Sequence, residues 1–128
     1  MKILIVDDDQ NIRRLVSFNL SLEGHEILMA RNGKEGIEIA VSSNPDIILM
    51  DIMMPIMNGY DACKWLKSDP RTKDIPLFML SAKGQMTDLD EAFNVGADNY
   101  ITKPFDVEKL NKTIMFKLEN LKQRKKQG

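Results

Sequence analysis

One cysteine, one histidine and one tryptophan are all that 128 residues contain of those types, and the scarcity excludes a good deal. The lone thiol, Cys63, cannot build an internal disulfide framework, so the core must hold without covalent staples and a reducing compartment is expected. The lone imidazole, His25 in "EGHEI", falls between a helical pattern and a strand pattern and is read as a loop residue, not a phosphorelay histidine. No apolar run approaches the ~20 residues of a membrane span. The opening "MKILIVDDD" turns acidic too early for a secretory signal, so a cytoplasmic protein with no membrane partner is expected. Repeats, low-complexity tracts and Pro/Gly/Ser linkers are absent too, which points to one domain.

The net charge of −1 argues neither for nor against a polyanionic partner. Its distribution is more telling. Acids cluster at residues 7–9, and "KLENLKQRKKQ" near the end is basic. The basic stretch reads as a solvated helix end favoured by the helix dipole, and direct nucleic-acid binding is not expected. The domain is assigned to residues 1–120, with 121–128 a basic helix end or linker.

What the chain does have is rhythm. Short apolar runs recur at 2–6, 26–29, 46–50, 76–80 and 99–101. Between them, Ile12, Leu15, Val16 and Leu20 fall on one helical face, as do Ile37, Ala40 and Val41, and later Leu110, Ile114, Leu118 and Leu121. Gly24, Gly59 and Gly96 punctuate the joints. Five strands alternating with five helices imply right-handed crossovers and an α/β fold with a parallel sheet. The runs at 3–6 and 47–50 lack polar alternation, as central parallel strands do. A doubly wound sheet of this size most simply takes the flavodoxin-like order 2-1-3-4-5.

On that scaffold the polar residues converge. Asp7 and Asp8 follow strand 1, Asp51 ends strand 3 in "LMDIMMP", Ser81 ends strand 4 and Lys103 follows strand 5. A carboxylate at the mouth of a buried strand is costly unless something uses it. All five positions lie at carboxyl ends of strands, and strands 1 and 3 flank the topological switch point where such sheets bind ligands. Carboxylates with no His or Cys nearby suit a hard cation, so Mg2+ is the expected cofactor. Asp8 and Asp51 are its natural ligands, with Asp7 acting directly or through water. Lys103 supplies a point charge for a phosphoryl oxygen and Ser81 a hydroxyl donor. Asp51 remains available as a nucleophile, since aspartate forms acyl phosphates.

These motifs, "ILIVDDD", "PDIILMDIMMPIMNGYD", "SAKG" and "GADNYITKPF", together resemble a response-regulator receiver domain of the chemotaxis-regulator kind, from residue 2 to roughly 117. The resemblance implies a phosphoacceptor at Asp51, an acidic Mg2+ pair at Asp7 and Asp8, and the backbone carbonyl of Met53 as a further ligand. It also implies a switch hydroxyl at Ser81, a switch aromatic at Tyr100, and a phosphoryl-binding Lys103 before a cis Pro104. The implied donor is a sensor histidine kinase, a phosphotransfer protein or a small acyl phosphate. The implied readers are a downstream protein target, a tethered output domain or a phosphorylation-dependent homodimer. They would act through a face formed by helix 4, strand 5 and helix 5, at 86–93, 99–101 and 107–118. No enzyme acting on an external substrate is implied.

Duller readings stand beside these. Asp9 reads as a helix cap, Cys63 and Trp65 as packing residues of helix 3, and Tyr100 competes with an ordinary core aromatic. Met53 and Lys83 depart from the polar or acidic types frequent at those positions in the family, and slow hydrolysis is expected of the phosphorylated form. A small-molecule phosphatase working through an aspartyl phosphate would want an acid where Met53 stands. A purely structural receiver-like domain would have no need of the acids and lysine.

Overall fold

In the computed structural model, residues 1–82 and 94–127 are described. Five strands, β1 (Lys2–Val6), β2 (Glu26–Ala30), β3 (Ile47–Asp51), β4 (Leu77–Ala82) and β5 (Asn99–Lys103), form one sheet. Its order is β2-β1-β3-β4-β5 and every neighbouring pair is parallel. The helices among the described residues are α1 (Gln10–Leu22), α2 (Gly33–Ser43), α3 (Gly59–Ser68) and α4 (Leu110–Gln127), the last preceded by a 3-10 turn at Val107–Lys109. The helix expected around 86–93, and Lys83, lie outside the described residues. The fold is the flavodoxin-like one that the alternation of patterns predicts.

The first three helices start where a side chain can satisfy orphan N–H groups. Asp9 accepts from the amides of Asn11 and Ile12 at the head of α1, Asn32 from Glu35 on α2, and Asn58 from Asp61 on α3. Asp9 is thus the cap that its position predicts. Gly24, at φ +88°, turns the chain out of α1 in a region that only glycine enters freely.

Strand alternation divides the interior in two. Leu4, Val6, Ile48, Met50, Leu77 and Met79 face α2 and α3, meeting Ala40, Ala62, Cys63 and Leu66. Ile3, Ile5, Ile47, Leu49, Phe78 and Leu80 face the other side, meeting Val16 and Leu20 of α1 and Leu110, Ile114 and Leu118 of α4. A fully buried side chain of this size stabilises by about 1.5–3 kcal/mol, so both layers are needed to offset chain entropy. Cys63 is buried in packing, and burial pushes its thiol up to about 12.

Some expectations need correction. Leu15 does not share the buried face of α1; it is 48% exposed, because the sheet covers only the narrow stripe holding Val16 and Leu20. Ser81 lies inside β4, which runs on to Ala82, and Lys103 is the last residue of β5. Residues 107–109 take the tighter 3-10 form before α4 begins.

Candidate functional site

The site is built at the carboxyl edge, where β1 and β3 lie side by side in the sheet centre. Asp7, the first residue after β1, is completely buried. Its amide donates to the carbonyl of Ala30, and its own carbonyl accepts from Arg13 Nη1 at 2.7 Å. Its carboxylate is divided: Oδ1 accepts from the amide of Asp9 at 2.9 Å, and Oδ2 from Lys103 Nζ at 2.7 Å. The same ammonium lies 3.2 Å from Oδ1 of Asp51, itself nearly buried at the end of β3. Asp8 is exposed at the rim. Oxygens of Asp7, Asp8 and Asp51 lie within 4.8 Å of one another.

Electrostatics make this cluster unsatisfied as it stands. Burial raises the Asp51 carboxyl, and the neighbouring Asp7 charge raises it further; Lys103 opposes both, and the result is about 6 against an ordinary 3.8. Lys103 moves upward as well: burial pulls it down, but the hydrogen bond to Asp7 and the charges of Asp51 and Asp7 outweigh that. Three carboxylates face one ammonium, so positive charge is in deficit. The donor set is all oxygen, which suits Mg2+ and does not suit zinc or copper. Oxygens around one Mg2+ at about 2.1 Å lie at most about 4.2 Å apart, close to the spread seen here. The residues present therefore fit such an ion.

The loop after Asp51 is held tightly from below. Gly59 opens α3 directly against the strand end, where a Cβ would collide with the carbonyl of Asp51, and its amide donates to Ile52 at 2.8 Å. Ile56, 79% exposed, sits at φ +72° inside a three-residue turn closed by the Met57 amide on the Pro55 carbonyl at 2.8 Å. The Met53 side chain, two residues beyond Asp51, is 63% exposed.

Of the residues expected to converge, Asp7, Asp8, Asp51 and Lys103 do so. The peptide bond from Lys103 to Pro104 is cis. The backbone of Ser81 is in register with Thr102 on β5; its side chain lies outside what is described. Tyr100 is half-buried against the α2/α3 side of the core, in register with Met79, with Lys117 Nζ 5.6 Å from its ring centre. Trp65 is partly exposed beside the Arg71 guanidinium. His25 lies in the turn between α1 and β2, where Nε2 is 2.7 Å from Asn111 Oδ1 on α4. Sequence reasoning missed Arg13, which holds the Asp7 carbonyl from the first turns of α1, and Lys117; no motif marks either.

With that geometry in place, comparison with known proteins is specific. Residues 3–115 match the family described as the response regulator receiver domain. The chain is 47% identical over 109 residues to a DNA-binding dual master transcriptional regulator, RpaA, of Synechocystis, covering 85% of this chain and 45% of that protein. It is 43% identical over 108 residues to the phosphate regulon transcriptional regulatory protein PhoB of Pseudomonas aeruginosa, covering 84% and 47%. The chain thus spans about half the length of the curated relatives it matches. Among solved structures, the chemotaxis response regulator CheY4 of Vibrio cholerae superposes with a TM-score of 0.85 at 34% identity, covering 91% of this chain and 97% of that one.

Proposed function

Because this chain belongs to the response regulator receiver domain family, a phosphoryl-accepting module of two-component signalling, we propose that Asp51 is the residue that takes the phosphoryl group. One observation carries this reading: a single ammonium, Lys103, lies between a buried structural acid and a strand-end acid, beside an exposed third acid. An Oδ of Asp51 attacks phosphorus of a phosphohistidine on a sensor kinase or phosphotransfer protein, or of a small acyl phosphate. The O–P bond forms as the bond to the donor atom breaks, and that atom keeps the electron pair. Asp7, Asp8, Asp51 and the Met53 carbonyl are the residues that would hold Mg2+. When bound there, the ion neutralises charge on the phosphoryl oxygens and on the crowded carboxylates.

Lys103 follows the charge. In the present geometry it is shared by Asp7 and Asp51; once Asp51 carries the phosphoryl group as an acyl phosphate, its ammonium has a phosphoryl oxygen to meet, a stronger charge-assisted partner. Ser81 donates its hydroxyl to another phosphoryl oxygen, and Tyr100 repacks in response, which alters the face containing residues 99–101 and 107–118. The reader is a downstream protein, a tethered output domain or a second copy of the chain. RpaA is described as DNA-binding, but this domain itself is not expected to contact DNA. No helix among the described residues is long and apolar enough to cross a membrane. The protein modifies itself and acts on no external substrate.

Incubation with acetyl phosphate and Mg2+ tests the central assignment. Intact mass should rise by one phosphoryl group, hydroxylamine should remove it, and omission of Mg2+ should prevent it. An Asp51→Asn protein that still gains the group would overturn the assignment.

A further inference from the structure

Tyr100 and Ile101 are consecutive on β5, an edge strand, so their side chains point to opposite faces of the sheet. Ile101 packs with Leu110, Ile114 and Leu118 of α4, as its side requires, while Tyr100 packs on the α2/α3 side. Yet α4 touches Tyr100 as well. Lys117 flanks the buried stripe of α4 and reaches around the outer edge of β5, the last strand of the sheet, placing Nζ 5.6 Å from the centre of the Tyr100 ring. The same ammonium donates to Asn99 Oδ1 at 3.3 Å, and that oxygen also accepts from the Tyr100 amide at 2.8 Å. One lysine therefore contacts both the ring and, through Asn99, the backbone of one residue.

From this juxtaposition we infer that Lys117 is a positioning residue for Tyr100, holding the ring in the place seen here and so setting the balance between its two positions. The inference rests on the reading of Tyr100 as the switch aromatic and adds the element that opposes the switch. The physics is a cation over an aromatic face, worth most with Arg or Lys and nothing with an isosteric apolar chain. A ring held by such a contact must give it up to move. The opposing hold is supplied from α4, on the far side of the sheet from the ring. A partner carboxylate that drew Lys117 away would release Tyr100, making partner binding and phosphorylation reciprocal.

Lys117→Met keeps the apolar stem and removes the charge; Lys117→Arg keeps the cation. Tyr100 ring signals, assigned by NMR in a Tyr60→Phe background, report its position, and beryllofluoride with Mg2+ serves as the phosphoryl mimic. In the protein with Lys117, the mimic should move the Tyr100 signals to a second position. In Lys117→Met without the mimic, the signals should already lie part of the way along that path. Its apparent affinity for the mimic should rise about two- to fivefold. Lys117→Arg should restore both readouts, which a merely structural loss would not permit. If the ring responds to the mimic equally in the presence and absence of the Lys117 charge, this inference alone is overturned. If the ring fails to respond even with Lys117 in place while Asp51 still binds the mimic, the switch reading of Tyr100 has failed, and the inference falls with it.

Discussion

Lys103 Nζ is closer to Asp7, at 2.7 Å, than to Asp51, at 3.2 Å, so the ammonium chiefly neutralises the fully buried acid and not the one at the strand end. Removing it should therefore cost stability first. Lys103→Met leaves a buried carboxylate with only the Asp9 amide, and unfolding in urea should show a loss of about 2–4 kcal/mol without metal. Saturating Mg2+ should recover part of this, because a cation at the acids replaces the missing charge. A variant as stable as the parent in metal-free buffer would refute the structural half of this role.

Asp51 should reveal itself through pH. Its folded carboxyl is at about 6 against 3.8 unfolded, so the folded state holds the proton more tightly between those values. The resulting stabilisation is fully present below pH 4 and is lost as pH rises through 6. At neutral pH without metal the ionised group then costs up to about 3 kcal/mol. Asp51→Asn removes that cost. Melts of the two proteins should differ most near pH 7.5, with the Asn form the more stable, and should converge between pH 6 and 4. A gap independent of pH would contradict the environment described.

Asp8 is exposed, so its neutralisation should disturb packing little while relieving repulsion among the three acids. Asp8→Asn should melt above the parent in metal-free buffer. Mg2+ should raise the parent's melting temperature by mass action and barely move the variant's. Equal metal-induced shifts in both proteins would exclude Asp8 as a ligand.

The turn below the site carries its own strain. Ile56 is β-branched, solvent-exposed and at φ +72°, where such residues are outliers. Ile56→Gly should relieve that strain at the expense of chain entropy, for a net gain of about 1 kcal/mol read from the urea midpoint. A loss of stability would mean that the isoleucine side chain makes contacts worth more than the strain.

Most of the scaffold was legible because parallel buried strands announce themselves as unbroken apolar runs, and the topology then brings their ends together. Asp7, Asp8, Asp51 and Lys103 needed nothing more than that rule to be grouped. What sequence could not show are contacts without periodicity. Lys67 donates to the carbonyls of Lys73 and Ile75 and pairs with Asp98 at 2.6 Å, and Asp98 in turn accepts from the Leu77 amide. That clamp joins α3 to the starts of β4 and β5, yet no spacing in the sequence pairs Lys67 with Asp98. His25 and Asn111 meet across 86 positions for the same reason. Leu15 misled in the other direction: apolar spacing marks a helical face, but the width of the covered stripe is set by the sheet beneath it.

The divided interior has a thermodynamic corollary. Because backbone separates the α2/α3 layer from the α1/α4 layer, a cavity opened on one side has no shared wall with one opened on the other. Leu66→Ala and Ile114→Ala should each be costly, and their costs should add, whereas Ile114→Ala and Leu118→Ala, neighbours in one layer, should couple. The outer helices of one side can thus be rebuilt for new partners without retuning the packing on the other. At the edge of β5, Lys117 crosses between the two and links them.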